Sequence, residues 1–117
     1  MVTFNYMVEY TLQLDNIFGS LADATRRDIL KQVSKKQLSV GEIAKHYKLT
    51  FAAISKHLQV LQKAKLIVKH RQGKKQMVKS SPTTLRNAAD YLQHYEAIWN
   101  QRFDRLDKLL QEEKINK

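Results

Sequence analysis

Two short amphipathic segments separated by only three residues are the tightest constraint in this sequence. Ser39-Val-Gly-Glu42 fits a capping box: the Ser39 hydroxyl accepts from the Glu42 amide, and the Glu42 carboxylate reaches back to the Ser39 amide. It opens a short helix over about Val40–Tyr47, with Ile43 and Ala44 inward. Lys48-Leu49-Thr50 is a tight turn, and Thr50 is a natural N-cap for a helix over roughly Phe51–Ala64. That helix buries Ile54, Leu58 and Leu61, at spacings of four and three. Two helices joined by about three residues, the second well capped, form a helix-turn-helix.

The flanking segments extend the pattern. Leu66-Ile67-Val68 and Met77-Val78 are β-prone and surround Gln72-Gly73-Lys74, which reads as a hairpin with a basic, glycine-containing tip. Upstream, Leu14, Ile17, Phe18 and Leu21 form one apolar stripe, and Ile29, Leu30 and Val33 mark the buried side of a second helix. Ser34–Gln37 is a polar break. Residues 1–13 are aromatic-rich and weakly patterned, compatible with a helix that packs on the body or on a partner. Ser81 can cap and Pro82 suits a first helical position; from there to about Glu113 nothing breaks the chain. Leu85, Ala89, Leu92, Trp99, Phe103, Leu106 and Leu110 recur at mixed spacings of three and four. About 30 helical residues span roughly 45 Å, long for a domain of this size. Such a stripe needs a partner, most simply its own copy in a homodimer. The expected fold is therefore mainly α with a small β-hairpin, a single winged helix-turn-helix domain over residues 1–117. Its helix-turn-helix covers about residues 40–64, its wing about 66–79 and its C-terminal helix about 82–113.

The charge map points to the partner. The 117 residues carry a net charge of +10. Residues 1–50 hold seven Lys/Arg against five Asp/Glu, and residues 80–117 hold six of each. Residues 51–79 hold eight basic residues and no acid. Both signs are normally interspersed on a surface kept soluble by charge; this concentration is a polyanion footprint, with a merely solvated basic face as the plain alternative. A helix of the helix-turn-helix type enters a major groove, its first turns meeting base edges. Those residues here are Phe51, Ala52, Ser55, Lys56 and Gln59. Ser55 donates or accepts, Lys56 reaches guanine acceptors or a phosphate, and Phe51 and Ala52 offer apolar contact to a thymine methyl. His57 bonds a phosphate in either protonation state. Arg71, Lys74 and Lys75 at the hairpin tip track the backbone or enter a minor groove. Exposed amides at the Ser39 and Thr50 helix starts are further phosphate contacts. For Arg26 and Arg27, phosphate contact and pairing with Asp23 or Asp28 are equally open.

Other function classes find little support. Zero cysteines remove disulfides, thiolate zinc sites and thiol catalysis. The four histidines are scattered, and Asp90 and His94, one turn apart, are too few for a tight metal site. There is no Gly-rich phosphate loop and no nucleophile elbow; Ser55 and His57 are two apart on a helix and point away from each other. No apolar run approaches the roughly 18 residues of a membrane helix. The first cationic side chain is Arg26, so no charged segment precedes a hydrophobic stretch as in a secretory signal. The expectation is a non-enzymatic protein of the cell interior, without cofactor or metal. Its partners are double-stranded DNA and itself, and no inducer is indicated. A protein-interaction module and a non-specific nucleoid-type binder are the alternatives.

Phe18–Leu30 (FGSLADATRRDIL), Leu38–Ala44 (LSVGEIA) and Ala53–Leu61 (AISKHLQVL), followed by Ala64–Val68 and the hairpin, resemble the ArsR-type (ArsR/SmtB) bacterial repressors. The match covers about Leu14–Leu110. It implies a homodimeric winged helix on a palindromic operator, in the bacterial cytoplasm and on the nucleoid, with the terminal helices as the dimer interface. Leu14, Phe18, Leu92, Tyr95, Trp99, Phe103, Leu106 and Leu110 are the candidates for that interface. The tail, Tyr95–Trp99 and then Arg102–Asp107, looks like the long-tailed branch, whose members often lack metal sites. Two departures stand out. Phe51 and Ala52 open the recognition helix where many relatives carry Gln and then Pro or Ser. Ser39 and Gly41 stand where metal sensors carry a Cys-x-Cys pair, and Asp90 is followed by Leu92 where their other site needs Asp-x-His.

Overall fold

The computed structural model describes residues 2–115, with side chains described from Thr11 to Lys114. In chain order the elements are α1 (Val2–Ser20), α2 (Ala24–Lys35), β1 (Leu38–Ser39), α3 (Val40–Tyr47), α4 (Phe51–Lys63), β2 (Ile67–Gln72), β3 (Lys75–Ser80) and α5 (Pro82–Ile115). The chain divides into two compact units, residues 1–85 and residues 86–117. The first holds the winged helix-turn-helix; the second holds most of α5.

The N-terminal stretch, compatible in sequence with a helix packing on the body or on a partner, is helical and runs on as a single helix through Ser20. What the side chains of residues 1–10 pack against lies outside the described residues. Further along α1, Leu14 and Ile17 are buried and Phe18 is half-buried, as is Leu21 just past its end. Asp23 caps α2 by accepting from the Arg26 amide at 3.0 Å, and α2 turns Ile29, Leu30 and Val33 inward. The capping box forms as its spacing requires. Glu42 N donates to Ser39 Oγ at 3.1 Å and Ser39 N donates to Glu42 Oε1 at 3.4 Å.

After α3 the chain reverses at Lys48, which is left-handed with φ 53°. Thr50 Oγ1 then accepts from Ala53 N at 3.1 Å and starts α4. The far end of α4 closes with a Schellman motif: Leu66 N donates to Leu61 O at 3.0 Å and Lys65 N to Gln62 O at 2.9 Å. Lys65 occupies the left-handed position at φ 61°, where glycine is the common choice. Leu61 and Leu66, the apolar pair that accompanies this motif, are both fully buried.

The hairpin is part of a larger sheet than the sequence pattern shows. Leu38–Ser39 joins it as an antiparallel edge strand, giving the order β1-β3-β2 with β3 central. Leu38 faces Val78 and Ser39 faces Met77 on one side of β3, while Ile67 to Gln72 pair with Ser80 to Lys75 on the other. The wing turn is two residues, Gly73-Lys74, with Gly73 at φ +65°. A positive φ at the first turn residue is what a two-residue hairpin of the II′ kind demands, and glycine meets it without a Cβ clash. Ile17, Ile29, Ile43, Ile54, Leu58, Leu61, Leu66 and Val78 form the fully buried core.

A basic face built from the recognition helix and the wing

The first residues of α4 divide cleanly between two faces. Ile54, Leu58 and Leu61 are inaccessible to solvent. Ala52, Lys56 and Gln59 are exposed on the opposite face, and Ser55 is half-buried beside them. Spacings of three and four put these four on one stripe. Phe51, in the first turn of α4, leaves 60 % of its surface exposed. Hydrophobic burial alone would not leave a phenylalanine there; its place is at the mouth of a cleft. That cleft, about 380 Å³, is lined by Ser39, Val40 and Gly41 from the start of α3, Phe51 from α4, and Arg71, Lys74, Lys75 and Gln76 from the wing. Residues separated by more than thirty positions in sequence thus share one cationic surface. Lys75 also acts on Glu42, whose carboxyl is held below its ordinary value first by the Ser39 hydroxyl and amide, then by Lys75 and Lys36.

Two expected contacts are placed differently. The Ser39 amide is not exposed: Ser39 is buried, its amide is taken by Glu42, and its backbone pairs into the sheet. The accessible helix start on this face is that of α4, where Thr50, Phe51 and Ala52 are all exposed. His57 is drawn toward the α1–α2 corner: its Nδ1 lies 3.5 Å from Arg26 Nη1 and 3.9 Å from Asp23 Oδ2.

Arg26 and Arg27 do something the sequence did not signal. Arg26 Nε donates to Ser20 O at 2.7 Å and its Nη2 to Gly19 O at 3.3 Å, while Arg27 Nη1 donates to Leu21 O at 2.9 Å. Arg26 sits on the last carbonyls of α1 and Arg27 on the carbonyl just beyond them, where free acceptors and the helix dipole both favour positive charge. Asp28 accepts instead from the Tyr47 hydroxyl at 2.6 Å, tying α2 to α3. Burial first, then this hydrogen bond to a carboxylate, pushes the Tyr47 phenol well above its ordinary range.

Of the residues expected at a subunit interface, Leu14 is buried within the single chain and offers little surface to a partner. Phe18 is half-buried. Along α5, Leu92, Tyr95, Trp99, Phe103, Leu106 and Leu110 are all at least half exposed. Ile98 and Leu109, which the sequence reading passed over, are exposed with them. Within α5, Trp99 and Phe103 lie with ring centroids 6.0 Å apart, and Arg102 stacks over the Trp99 ring at 5.3 Å.

Among the described residues no group of three or more His, Asp or Glu side chains converges as a metal site. No helix there is long and apolar enough to cross a membrane.

Helix-turn-helix, three-stranded sheet and basic hairpin tip together define a winged helix-turn-helix, the scaffold of DNA-binding regulators. The family described as "Bacterial regulatory protein, arsR family" matches residues 23–69. An uncharacterized HTH-type transcriptional regulator of Bacillus subtilis, YuzN, is 36% identical over 80 residues, covering 62% of this chain and 87% of its own length. The transcriptional repressor SdpR of the same species is 29% identical over 82 residues, covering 70% of this chain and 91% of its own. Among solved structures, an ArsR-like transcriptional regulator from Rhodococcus sp. RHA1 superposes with a TM-score of 0.69 at 25% identity, over 85% of this chain and 93% of that one. A homodimeric winged helix-turn-helix DNA-binding domain from Mycobacterium bovis shares the fold, with a TM-score of 0.61 at 19% identity over 79% of this chain and 83% of that one. The chain belongs to the arsR family and is a DNA-binding transcriptional regulator, not an enzyme.

Proposed function

We propose that this protein is a metal-independent repressor that binds an inverted-repeat operator as a homodimer in the bacterial cytoplasm. The observation that carries the reading is the shared cleft: it joins the start of α4 to Arg71, Lys74 and Lys75, so one surface offers a major-groove helix and a cationic wing together. Ala52, Ser55, Lys56 and Gln59 read base edges, Phe51 adds apolar contact, and the wing cations with the α4 start hold phosphates. The exposed stripe of α5 supports self-association, as does the homodimeric state of the Mycobacterium bovis domain. Two recognition helices about 34 Å apart then meet successive major grooves on one side of the duplex. The name of the Bacillus repressor supports repression, which would follow from occlusion of polymerase. Release requires an agent that alters the relative setting of the two recognition helices.

Fluorescence anisotropy with chelator present, at about physiological salt, tests this. DNA from immediately upstream of the protein's own coding sequence is compared with a shuffled duplex of equal length. A preference of roughly a thousandfold or more is expected. Equal, weak binding to both would favour a non-specific binder or an interaction module.

A further inference from the structure

Arg26 joins three elements. It closes the C-terminus of α1 through Ser20 O and Gly19 O, it sits in the first turn of α2, and it meets the recognition helix at His57 Nδ1, 3.5 Å away. A guanidinium stays charged and has five N–H donors and no acceptor. Toward this neighbour His57 Nδ1 serves as an acceptor, which leaves the ring proton on Nε2. The other charged group near the ring is Asp23, whose Oδ2 is 3.9 Å from the same Nδ1 and already accepts from the Arg26 amide at 3.0 Å. His57 Nε2 has no hydrogen-bond partner among the described residues and is not among their fully buried unpartnered polar atoms, so it keeps some access to solvent, on a side chain that is 22% exposed. His57 follows Lys56 directly on α4, at the border of the exposed stripe.

We propose that Arg26 is a positioning residue of the DNA-binding face: it holds His57 as the neutral Nε2–H tautomer, so that α4 presents an oriented N–H donor to a duplex phosphate. This rests on the DNA-binding reading above and adds to it a phosphate contact from His57 Nε2, the α1–α2 corner engaging Nδ1. In that tautomer the contact supplies a hydrogen bond without releasing a counterion, unlike the wing lysines. Because Arg26 is anchored on α1 carbonyls, the donor is set from outside the recognition helix.

Two measurements on the full chain test it. Long-range proton–nitrogen NMR correlation of the imidazoles near pH 8 should show His57 as the Nε2–H form, and Arg26→Gln should relax it toward a mixture. A dominant Nδ1–H form in the unsubstituted protein overturns the proposal. The second measurement is a double-mutant cycle in duplex affinity, with the upstream DNA and its shuffled control as probes. Arg26→Gln should weaken binding about three- to tenfold, in line with one lost hydrogen bond, and leave the salt slope unchanged. His57→Gln, whose amide nitrogen reaches the place of Nε2, should bind more tightly than His57→Ala, which has no donor there. Adding Arg26→Gln to His57→Gln should then cost nothing further, since no tautomer remains to be fixed. Additive losses, or a salt slope lowered by about one unit in Arg26→Gln, would show that Arg26 acts through the fold or touches phosphate itself. Thermal melts of each variant, with Arg26→Lys as a charge-retaining second variant, separate a folding defect from a binding one. If Lys74→Ala weakens binding and neither Arg26→Gln nor His57→Ala does, the DNA-binding reading stands and this proposal fails; if the unsubstituted protein binds no duplex, both fail.

Discussion

α4 and α5 carry apolar stripes of the same helical period and meet opposite environments. In α4, Ile54, Leu58 and Leu61 are fully enclosed by the chain itself. In α5, Leu92, Trp99, Phe103, Leu106 and Leu110 leave half or more of their surface open. Scattered apolar residues on a surface need no explanation, but a continuous row that includes a tryptophan and a phenylalanine does. Periodicity therefore says which face of a helix is to be covered, not by what. For α4 the cover is intramolecular and serves to present Lys56 and Gln59 outward. For α5 the cover expected from the proposed function is a second copy.

The comparison is broken most severely at Leu58. Leu58→Ala should cost about 2–5 kcal/mol of folding stability, because a filled core site becomes a cavity. Chemical denaturation followed by circular dichroism reads this, and a loss under about 1 kcal/mol would mean that α4 is less firmly packed than its burial indicates. Trp99→Ala should instead weaken self-association by about 2 kcal/mol, the usual scale for a central aromatic anchor, while leaving the dilute chain's own melting little changed. Sedimentation across a concentration series checks it; an unshifted dimer places the contact elsewhere. The smallest effect sharpens the distinction between α4 and its neighbour α3. Ser39→Ala removes the hydroxyl half of the capping box, the acceptor of the Glu42 amide, and should cost about 1 kcal/mol. It should also blunt the acid limb of the stability profile. The Glu42 carboxyl titrates below its ordinary value of 4.5 in the folded chain. Its contribution is thus present above that pH and lost as the pH falls through the folded value. Parallel acid titrations of the two proteins should diverge above pH 4.5 and converge below it.

How much of this was legible depended on whether the cause was local. The capping box at Ser39 and Glu42, the Thr50 cap and the stripes of α2 and α4 rest on residues within a turn or two of each other, and all are found. The basic wing tip was legible from Gly73 and its flanking cations. The edge strand was not, because Leu38–Ser39 is a strand only through its pairing with Met77 and Val78, some forty residues on. Leu14 shows the same limit: its stripe was evident, its burial inside the chain was not. Arg26 and Arg27 looked like phosphate ligands or partners of nearby aspartates. Their true acceptors are backbone carbonyls at and just beyond the end of α1, groups that every sequence has and no sequence marks.

Ser39 ends the edge strand and caps α3 at once, so no slack residue separates the sheet from the helix-turn-helix. A linker there would let the hairpin flex while the helices stayed still. Without one, a displacement of the wing passes through the pairing of β3 with β1 directly to the root of α3. Mechanical strain from a bent or overwound duplex would in this way be felt inside the protein and would not be absorbed in a soft joint.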